Sequence, residues 1–323
     1  MLMMKSLGGS PPVSPERGVL SLGDLSQSSV HRLVQRSADL YQNLDDHDRP
    51  LRGKAVGILF AKTSTRTRTA FTVGCIRLGG SPVTYGPNDL QTNTGESIAD
   101  TGRMLGCMLD LLVARTAGPL DDLRAMSRHG GLPVINAMAA EEHPTQGICD
   151  LATVKMARGE VDGVRILYVG EGNNTASALA EGISHFSGCH VTFATPEGYG
   201  VPAATMEAAA KRAATRHTTL TEVHSMDAIP DDAGFDFVYT TRWQTTGTSK
   251  PDPAWREKFL PFSVDDALMA RWPHAWFLHD LPAHRGEEVS GSVLDGDRSL
   301  AWAQARMKLT SAMSTLEWTA QQS

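Results

Sequence analysis

The sequence has few of the features that mark disulfide-rich, zinc-caged or membrane-spanning proteins. Its four cysteines, Cys75, Cys107, Cys149 and Cys189, lie far apart and form no Cys-x-x-Cys pair, so they indicate neither a zinc cage nor a disulfide framework. No apolar run approaches the ~18 residues of a membrane-spanning helix, and the N-terminal residues lack the apolar stretch of a secretion signal. We therefore expect a protein of the reducing cytoplasm with no membrane partner.

The chain also has no excess of positive charge. It carries 30 Lys and Arg against 36 Asp and Glu, a net charge of -6. A general binder of nucleic acid or of an anionic membrane needs a basic surface, so these partners are not expected. Any anion site must instead be local. With 323 residues the chain is long enough for two domains, each with its own core.

Short apolar runs alternate with helical patterns along most of the chain. The runs cover residues 54–60, 108–115, 132–137, 164–170, 189–195, 235–241 and 275–281. Strands that alternate with helices form parallel sheets covered on both faces, so we predict an α/β protein with two doubly wound parallel-sheet domains linked by inter-domain helices. The predicted segments are a disordered leader (1–17), a first domain (18–150), a second domain (151–297) and a C-terminal helix (298–320) that packs back on the first domain.

The stretch "STRTR", residues 64–68, follows the first strand and opens a helical pattern that Gly79 and Gly80 end. Ser64 or Thr65 is a good N-cap, which places hydroxyls and arginines at a helix N-terminus. The unpaired N–H groups and helix dipole favour an anion there, and arginine adds a fork that matches phosphate oxygens. The alternative is that Arg66 and Arg68 form solvated surface ion pairs.

Five motifs in order give the sequence a family resemblance. They read "KTSTRTR", "NDLQTNTGESIADTGRML", "VART", "HPTQGICDL" and "HDLPAHRGEEV". In order and rough spacing they resemble the aspartate/ornithine carbamoyltransferase family, over nearly the whole chain from about Gly18. The resemblance implies transfer of a carbamoyl group from carbamoyl phosphate to a small amine, without metal or organic cofactor. It also implies a homotrimer in which neighbouring subunits share active sites.

The resemblance assigns the carbamoyl phosphate site residue by residue. Phosphate binding is assigned to Ser64, Thr65, Arg66 and Thr67, and donors to the carbonyl oxygen are assigned to Thr67, Arg115 and His143. Gln146 would accept a hydrogen bond from the carbamoyl NH2, and Gln91 matches the residue that reaches into the neighbouring subunit's site. Lys308 stands where ornithine enzymes have a phosphate-binding arginine, so it keeps the charge but loses the planar fork.

Two of these residues have plausible structural roles as well. His143 taken alone is a candidate for an ordinary structural histidine, and Arg115 could pair with Asp110 or Glu96. The surrounding motifs favour the functional interpretation of both.

The acceptor motifs depart from the ornithine branch of the family. Asn173 or Asn174, in uncertain register, matches the acceptor-binding asparagine, but the usual aspartate is replaced by Thr241. The following residues, Arg242 and Gln244, are similar to the T-R-x-Q of the aspartate branch, where arginine binds a carboxylate of the acceptor. The serine-methionine pair of the ornithine branch is replaced by Thr245-Thr246.

A second departure places Asp280 where ornithine enzymes have a cysteine, beside Leu281 in the predicted acceptor pocket. Leaving a buried group unpaired costs about 1–3 kcal/mol, so such an exchange should alter the preferred ligand. We expect Asp280 to orient or deprotonate an acceptor ammonium while Arg242 binds a carboxylate, which excludes plain ornithine. The alternative is a structural pair of Asp280 with His279 or His284.

Three rival functions remain to be tested. The chain could be an ordinary ornithine carbamoyltransferase that makes citrulline, or a non-catalytic homologue that binds an anionic metabolite. Retention of both the phosphate and the carbonyl groups argues against the latter. A dinucleotide-binding oxidoreductase is suggested only by "VGEGNN" after a strand, and the full Gly-x-Gly-x-x-Gly motif is absent.

Overall fold

The computed structural model describes residues 17–245 and 249–322. Within these ranges the strands form two parallel sheets flanked by helices, which confirms the predicted α/β fold. Residues 1–16 of the predicted leader lie outside the described residues. Thr246 of the acceptor loop lies outside them as well. No helix of the described chain is both long and apolar enough to cross a lipid bilayer.

The first sheet has the strand order β2-β1-β3-β4. Its strands are β1 (Ala55–Phe60), β2 (Ser81–Tyr85), β3 (Leu111–Arg115) and β4 (Val134–Asn136). The helices of this half are α1 (Gln27–Gln42), α2 (Arg66–Arg77), α3 (Ile98–Gly106) and α4 (Leu120–Gly130). Apolar side chains pack on both faces of the sheet, as expected for buried parallel strands.

The second sheet has the strand order β7-β6-β5-β8-β9. Its strands are β5 (Arg165–Val169), β6 (His190–Ala194), β7 (Thr219–Val223), β8 (Phe237–Thr240) and β9 (Trp276–His279). The remaining helices are α5 (Pro144–Arg158), α6 (Asn174–Ile183), α7 (Ala203–Ala214), α8 (Trp255–Phe259), α9 (Asp266–Arg271), α10 (Gly291–Leu294) and α11 (Ala301–Gln321). Helix α5 leads from the first sheet to the second, and α11 packs against α1, α2 and α5.

Each predicted apolar run contains a strand, but two strands were missed. Strand β2 is half exposed and begins with Ser-Pro, and β7 has only two apolar residues, Leu220 and Val223, among its five. Both lie at the edge of a sheet. Edge strands are only partly buried, so neither gives the continuous apolar run by which the central strands are recognised.

The helix predicted after "STRTR" is α2, and its N-cap is Thr65. Thr65 has helical dihedral angles and its side chain makes no capping hydrogen bond, so the hydroxyl is not used to close the helix end. The helix ends at Arg77, before Gly79 at a φ of 86°. Gly79 thus supplies the left-handed conformation that commonly follows a helix.

The strand orders place one end of each sheet at a shared cleft. In each sheet the chain leaves a central strand, β1 or β5, and later returns on that strand's other side. Ligands of such sheets bind beyond the carboxyl ends of the strands at this point of reversal. The loops after β1, β3, β5, β8 and β9 therefore border this cleft.

Glu142, next to the predicted catalytic histidine, is a buried carboxyl group that accepts a hydrogen bond from the Leu22 amide at 2.9 Å. Burial raises its pKa from 4.5 to about 8. The folded protein therefore keeps a proton that the unfolded chain has released above pH 4.5. Stability from this group is present at low pH and is lost as the pH rises towards 8.

Glu142→Gln should remove this pH dependence, because the amide keeps the shape and the acceptor oxygen of the protonated acid. Relative to the wild type, the variant's free energy of unfolding should increase by about 1.4 kcal/mol per pH unit between pH 4.5 and 8. Urea unfolding of both proteins at pH 5.5, 6.5 and 7.5 measures this difference. A constant difference across these pH values would contradict the prediction.

Candidate active site

A cleft of about 390 Å³ lies at the carboxyl ends of the strands, between the two sheets. It gathers all of the predicted site residues except one. Those that line it are Ser64, Thr65, Arg66, Thr67, Arg115, His143, Gln146, Asn173, Asn174, Thr241, Arg242, Gln244, Asp280, Leu281 and Lys308.

Gln91 does not line this cleft. It is exposed in a short 3-10 helix, Gln91–Thr94, where its side-chain oxygen accepts a hydrogen bond from Thr94 at 2.9 Å. Within a single chain Gln91 therefore has no contact with the site. A role for it requires a neighbouring subunit, as the resemblance implies.

Arg66 occupies the first position of α2 and faces the cleft. It makes no hydrogen bond or ion pair with the described residues, so it is not the surface ion pair of the alternative interpretation. Arg68, on the same helix, donates to the Phe60 carbonyl oxygen at 3.2 Å and lies over the Phe60 ring. Burial lowers the pKa of Arg66, although arginine stays protonated near neutral pH.

Arg115 ends strand β3 and is almost fully buried at 8% exposure. Its Nε atom has no hydrogen-bond partner within the described chain. Asp110 and Glu96 accept hydrogen bonds from Ala55 and Thr101, so the suggested ion pairs with Arg115 are absent. Burial lowers the arginine pKa to about 10, a value at which it is still charged at neutral pH. A buried, under-bonded cation of this kind is suited to an anionic ligand.

His143 precedes α5 and lines the same end of the cleft. Burial, together with the charges of Lys308 and Arg115, lowers its pKa well below 6.5, so the ring is neutral. The Thr145 hydroxyl lies 3.3 Å from Nδ1. If Thr145 donates this bond, the ring proton lies on Nε2, where it is available as a donor to a ligand.

Gln146 lies one helical turn along α5 from His143 and is 1% exposed. Its side-chain oxygen accepts a hydrogen bond from the Lys308 ammonium, and its NH2 donates to Asp150 at 2.6 Å. Lys308 thereby reaches the cleft from α11, although it cannot supply the fork of an arginine.

Asp280 follows β9, and two hydroxyl groups hold its carboxylate. Thr175 donates to Oδ2 and Thr241 donates to Oδ1, both at 3.0 Å. His279 Nδ1 lies 3.6 Å from Oδ1, but it already accepts a hydrogen bond from the Leu281 amide and so carries no proton. His284 pairs with Glu287 instead. No Lys or Arg of the described chain forms an ion pair with Asp280.

The other acceptor residues surround this carboxylate. Arg242 lines the cleft and makes no hydrogen bond or ion pair with the described residues. Asn173 caps α6 through its side-chain oxygen and donates to Thr245 at 3.2 Å. Asn174 donates to the Ala139 carbonyl oxygen at 3.0 Å. Both asparagines face the cleft, so the structure does not reduce the two registers to one.

Some lining residues were not identified from the sequence: Thr63, Met138, Thr175 and Pro282. Thr175 directly follows the Asn173-Asn174 pair, and that adjacency was the available signal. Met138 and Leu281 have φ angles of 137° and 55°, in a region that non-glycine residues rarely occupy. Such backbone strain is concentrated at ligand sites, and no sequence pattern marks it.

One group outside the cleft has metal-binding side chains close together. Ligand atoms of His284, Glu287 and Glu288 lie within 4.8 Å of one another. Glu288 already accepts hydrogen bonds from the His279 ring and the His284 amide, so it has a structural role in this turn. We assign no metal to it.

The cleft is lined by more positively than negatively charged side chains. Four cations, Arg66, Arg115, Arg242 and Lys308, face one carboxylate, Asp280. The carboxylate and Arg242 lie in loops of the second sheet, whereas Arg115 ends a strand of the first sheet and Arg66 begins α2 beside it. The fold and the cleft thus define an α/β protein that can hold a small anion at one sheet beside an amine at the other.

Comparison with known proteins identifies the family. The sequence model for the carbamoyl-P binding domain of aspartate/ornithine carbamoyltransferase matches residues 17–156, and that for its Asp/Orn binding domain matches 162–319. The chain is 38% identical over 298 residues to an ornithine carbamoyltransferase of Symbiobacterium thermophilum, covering 91% of this chain and 94% of the relative. Identity to that of Acidothermus cellulolyticus is 39% over 304 residues, covering 94% and 96%.

A solved structure agrees with this match. The ornithine carbamoyltransferase from Pyrococcus furiosus superposes with a TM-score of 0.85 at 32% identity, covering 95% of this chain and 97% of that one. The chain belongs to the aspartate/ornithine carbamoyltransferase family, and it is a carbamoyltransferase.

Proposed function

We propose that this enzyme transfers the carbamoyl group of carbamoyl phosphate to an amine acceptor other than plain ornithine, one that also carries a carboxylate bound by Arg242. The observation that carries the proposal is the environment of Asp280. Its carboxylate lies in the cleft, held by two threonine hydroxyls and with no Lys or Arg partner in the described chain. A partly buried carboxylate with no Lys or Arg of the described chain within ion-pair distance favours a ligand that brings a cation.

Carbamoyl phosphate fits the cationic end of the cleft. The N-terminus of α2, with Arg66, would hold the phosphate, because backbone N–H groups and the helix dipole favour anions there. Arg115 and His143 would donate to the carbonyl oxygen. These groups have few internal hydrogen bonds to break before they bind a ligand.

The reaction then requires that the amine is positioned beside the carbonyl carbon and that the charge developing on the carbonyl oxygen is stabilised. The acceptor arrives as an ammonium at Asp280 and loses one proton, either to that carboxylate or to water. Its nitrogen attacks the carbonyl carbon, negative charge develops on the carbonyl oxygen beside Arg115, and the C–O bond to phosphate breaks. The second amine proton passes to the leaving phosphate, so the products are a ureido compound and hydrogen phosphate.

A second candidate is ornithine itself as acceptor. The two relatives compared above bear the name ornithine carbamoyltransferase. Positions 241 and 280 are in direct contact through the 3.0 Å hydrogen bond. The carboxylate that the ornithine branch has at position 241 is therefore supplied here by Asp280, which is in direct contact with Thr241. An ornithine ammonium could meet Asp280 from the other side.

A panel of amines tests the proposal through phosphate release from carbamoyl phosphate. It should include ornithine, lysine, shorter diamino acids, simple diamines and amino diacids. We expect an acceptor with an amine and a further carboxylate to exceed ornithine in kcat/KM by at least tenfold. A much higher value for ornithine would overturn the proposed acceptor, and no amine-dependent release with any acceptor would support the non-catalytic alternative.

We also propose that the enzyme acts as a homotrimer with shared sites. Gln91 is exposed and does not line its own cleft, although its motif matches the residue that enters a neighbouring subunit. Apolar side chains are exposed in the same half of the chain, among them Ile76, Val83 and Met108. The trimer is expected to cover some of these side chains where they form a contiguous patch.

Mixing two inactive variants tests this arrangement. Gln91→Ala removes the side chain that enters the neighbouring subunit's site. Arg115→Met inactivates the cleft of its own subunit. Exchange of subunits should restore sites in which an intact cleft meets an intact Gln91, so activity should rise after mixing. Light scattering should give three times the 34.8 kDa chain mass. No recovery after verified subunit exchange would show that Gln91 does not act across subunits.

A further inference from the structure

Asp150 is a fully buried carboxylate that the reaction as described above does not use. It lies on α5, one turn beyond Gln146, at 1% exposure. Three side chains donate to it: Gln146 and Gln304 to Oδ1, both at 2.6 Å, and Tyr239 to Oδ2 at 2.9 Å. Its donors thus come from three different elements, α5, α11 and β8.

The first consequence concerns the orientation of the Gln146 amide. Because its NH2 group is bound to Asp150, its oxygen must point the other way, towards Lys308 and the cleft. A flipped amide would set its oxygen against the carboxylate and its NH2 against the ammonium of Lys308. Asp150 and Lys308 therefore select one orientation, in which Gln146 presents an acceptor to the ligand.

The second consequence concerns the acceptor side of the cleft. Gln304 donates its NH2 to Asp150, so its oxygen is free to accept from the His279 amide at 2.9 Å. His279 is the residue before Asp280. Tyr239, the third donor, lies two residues before Thr241, which holds Asp280. One carboxylate thereby connects Gln146 with the ends of both strands that carry the acceptor residues.

We propose that Asp150 is a positioning residue, which orients Gln146 to recognise the carbamoyl NH2 and aligns the ends of β8 and β9 with it. This inference rests on the proposed function, because it requires that Gln146 contacts the carbamoyl group. Burial raises the Asp150 pKa to about 7, while the bonds from Gln304 and Gln146 and the charge of Lys308 oppose this effect. The ionised form can accept all three hydrogen bonds.

The test compares two ligands that share the phosphate but differ in the NH2. Calorimetric titration gives the dissociation constants of both ligands, and the ratio of the constant for inorganic phosphate to that for carbamoyl phosphate measures recognition of the carbamoyl group. Asp150→Ala should reduce this ratio about tenfold, the effect of one lost hydrogen bond. Asp150→Asn should keep it within about threefold, because an amide oxygen can accept from both glutamines while its NH2 donates to Tyr239.

Two further variants separate positioning from stability. Thr153→Val removes a buried hydrogen bond to the Cys149 carbonyl oxygen on the same helix, so it should lower the melting temperature and leave the ratio unchanged. Asp150→Ser, whose hydroxyl can accept a hydrogen bond, should give an intermediate ratio. If Asp150→Ala does not fold, Asp150→Ser takes its place in the comparison with Asp150→Asn.

The outcomes distinguish this inference from the proposed function. If the wild-type enzyme binds carbamoyl phosphate no better than phosphate, Gln146 does not recognise the carbamoyl group. That result would contradict both the proposed site and the role of Asp150. A normal wild-type ratio that is equal in folded Asp150→Ala or Asp150→Ser would overturn only the role of Asp150.

Discussion

Arg115→Met is expected to lower kcat about 10²–10³-fold, which is the usual effect of removing one donor to a developing oxyanion. The arginine is 8% exposed at the end of β3, and its Nε atom has no partner in the described chain. The Arg115 side chain makes few hydrogen bonds to other residues of the protein, so its guanidinium group is available to the carbonyl oxygen of carbamoyl phosphate.

The same variant should not be destabilised. A buried charge without a full set of partners costs folding free energy, and methionine fills similar space without charge. We therefore expect an equal or higher melting temperature together with the loss of activity. The measurements are amine-dependent phosphate release with the best acceptor of the panel and thermal unfolding of the same preparations.

Arg77→Met is the matched control for this prediction. Arg77 also has a buried Nε atom without a partner among the described residues, but it lies at the far end of α2, where its ion pair is with Asp45 at 3.4 Å on the surface. Its substitution should leave kcat within about threefold. A kcat for Arg115→Met within fivefold of the wild type would exclude Arg115 from the transition state.

The sequence was sufficient for the central strands and for most of the cleft, for reasons that the structure makes clear. Buried parallel strands are continuous apolar runs, so β1, β3, β5 and β8 were visible. Side chains that follow such strands converge at one edge of a sheet. The family resemblance assigned the site residues to motifs near the ends of strands, and for this reason most of the assigned residues are neighbours in space.

What could not be predicted depends on contacts between distant segments. Asp150 was visible only as an acidic residue one turn beyond Gln146, and its donors Tyr239 and Gln304 are far away in the chain. The contact between Thr241 and Asp280 likewise joins loops of two separate strands. Hydrophobic periodicity carries no information about such pairs, so the connection between the two departures from the ornithine pattern required coordinates.

That contact leads to the second large prediction, a change of acceptor by exchange of two residues. Thr241→Asp with Asp280→Cys returns both positions to the pattern of the ornithine branch. The pocket keeps a single carboxylate but moves it across one hydrogen bond of 3.0 Å. We expect kcat/KM for ornithine to rise, and kcat/KM for the wild-type acceptor to fall, each by about 10²-fold or more, since an unpaired buried ammonium costs several kcal/mol.

The two single variants show whether the positions act together. Asp280→Cys alone leaves the pocket without a carboxylate, so it should be poor with every ammonium acceptor tested. Thr241→Asp alone sets two carboxylates in contact, and their repulsion should favour one protonated group and weaken binding of the wild-type acceptor. The double variant should then recover ornithine activity that neither single variant has, which is a non-additive effect expected of touching residues. Additive losses, or ornithine as the best acceptor of the wild type, would show that Asp280 does not set the choice of acceptor.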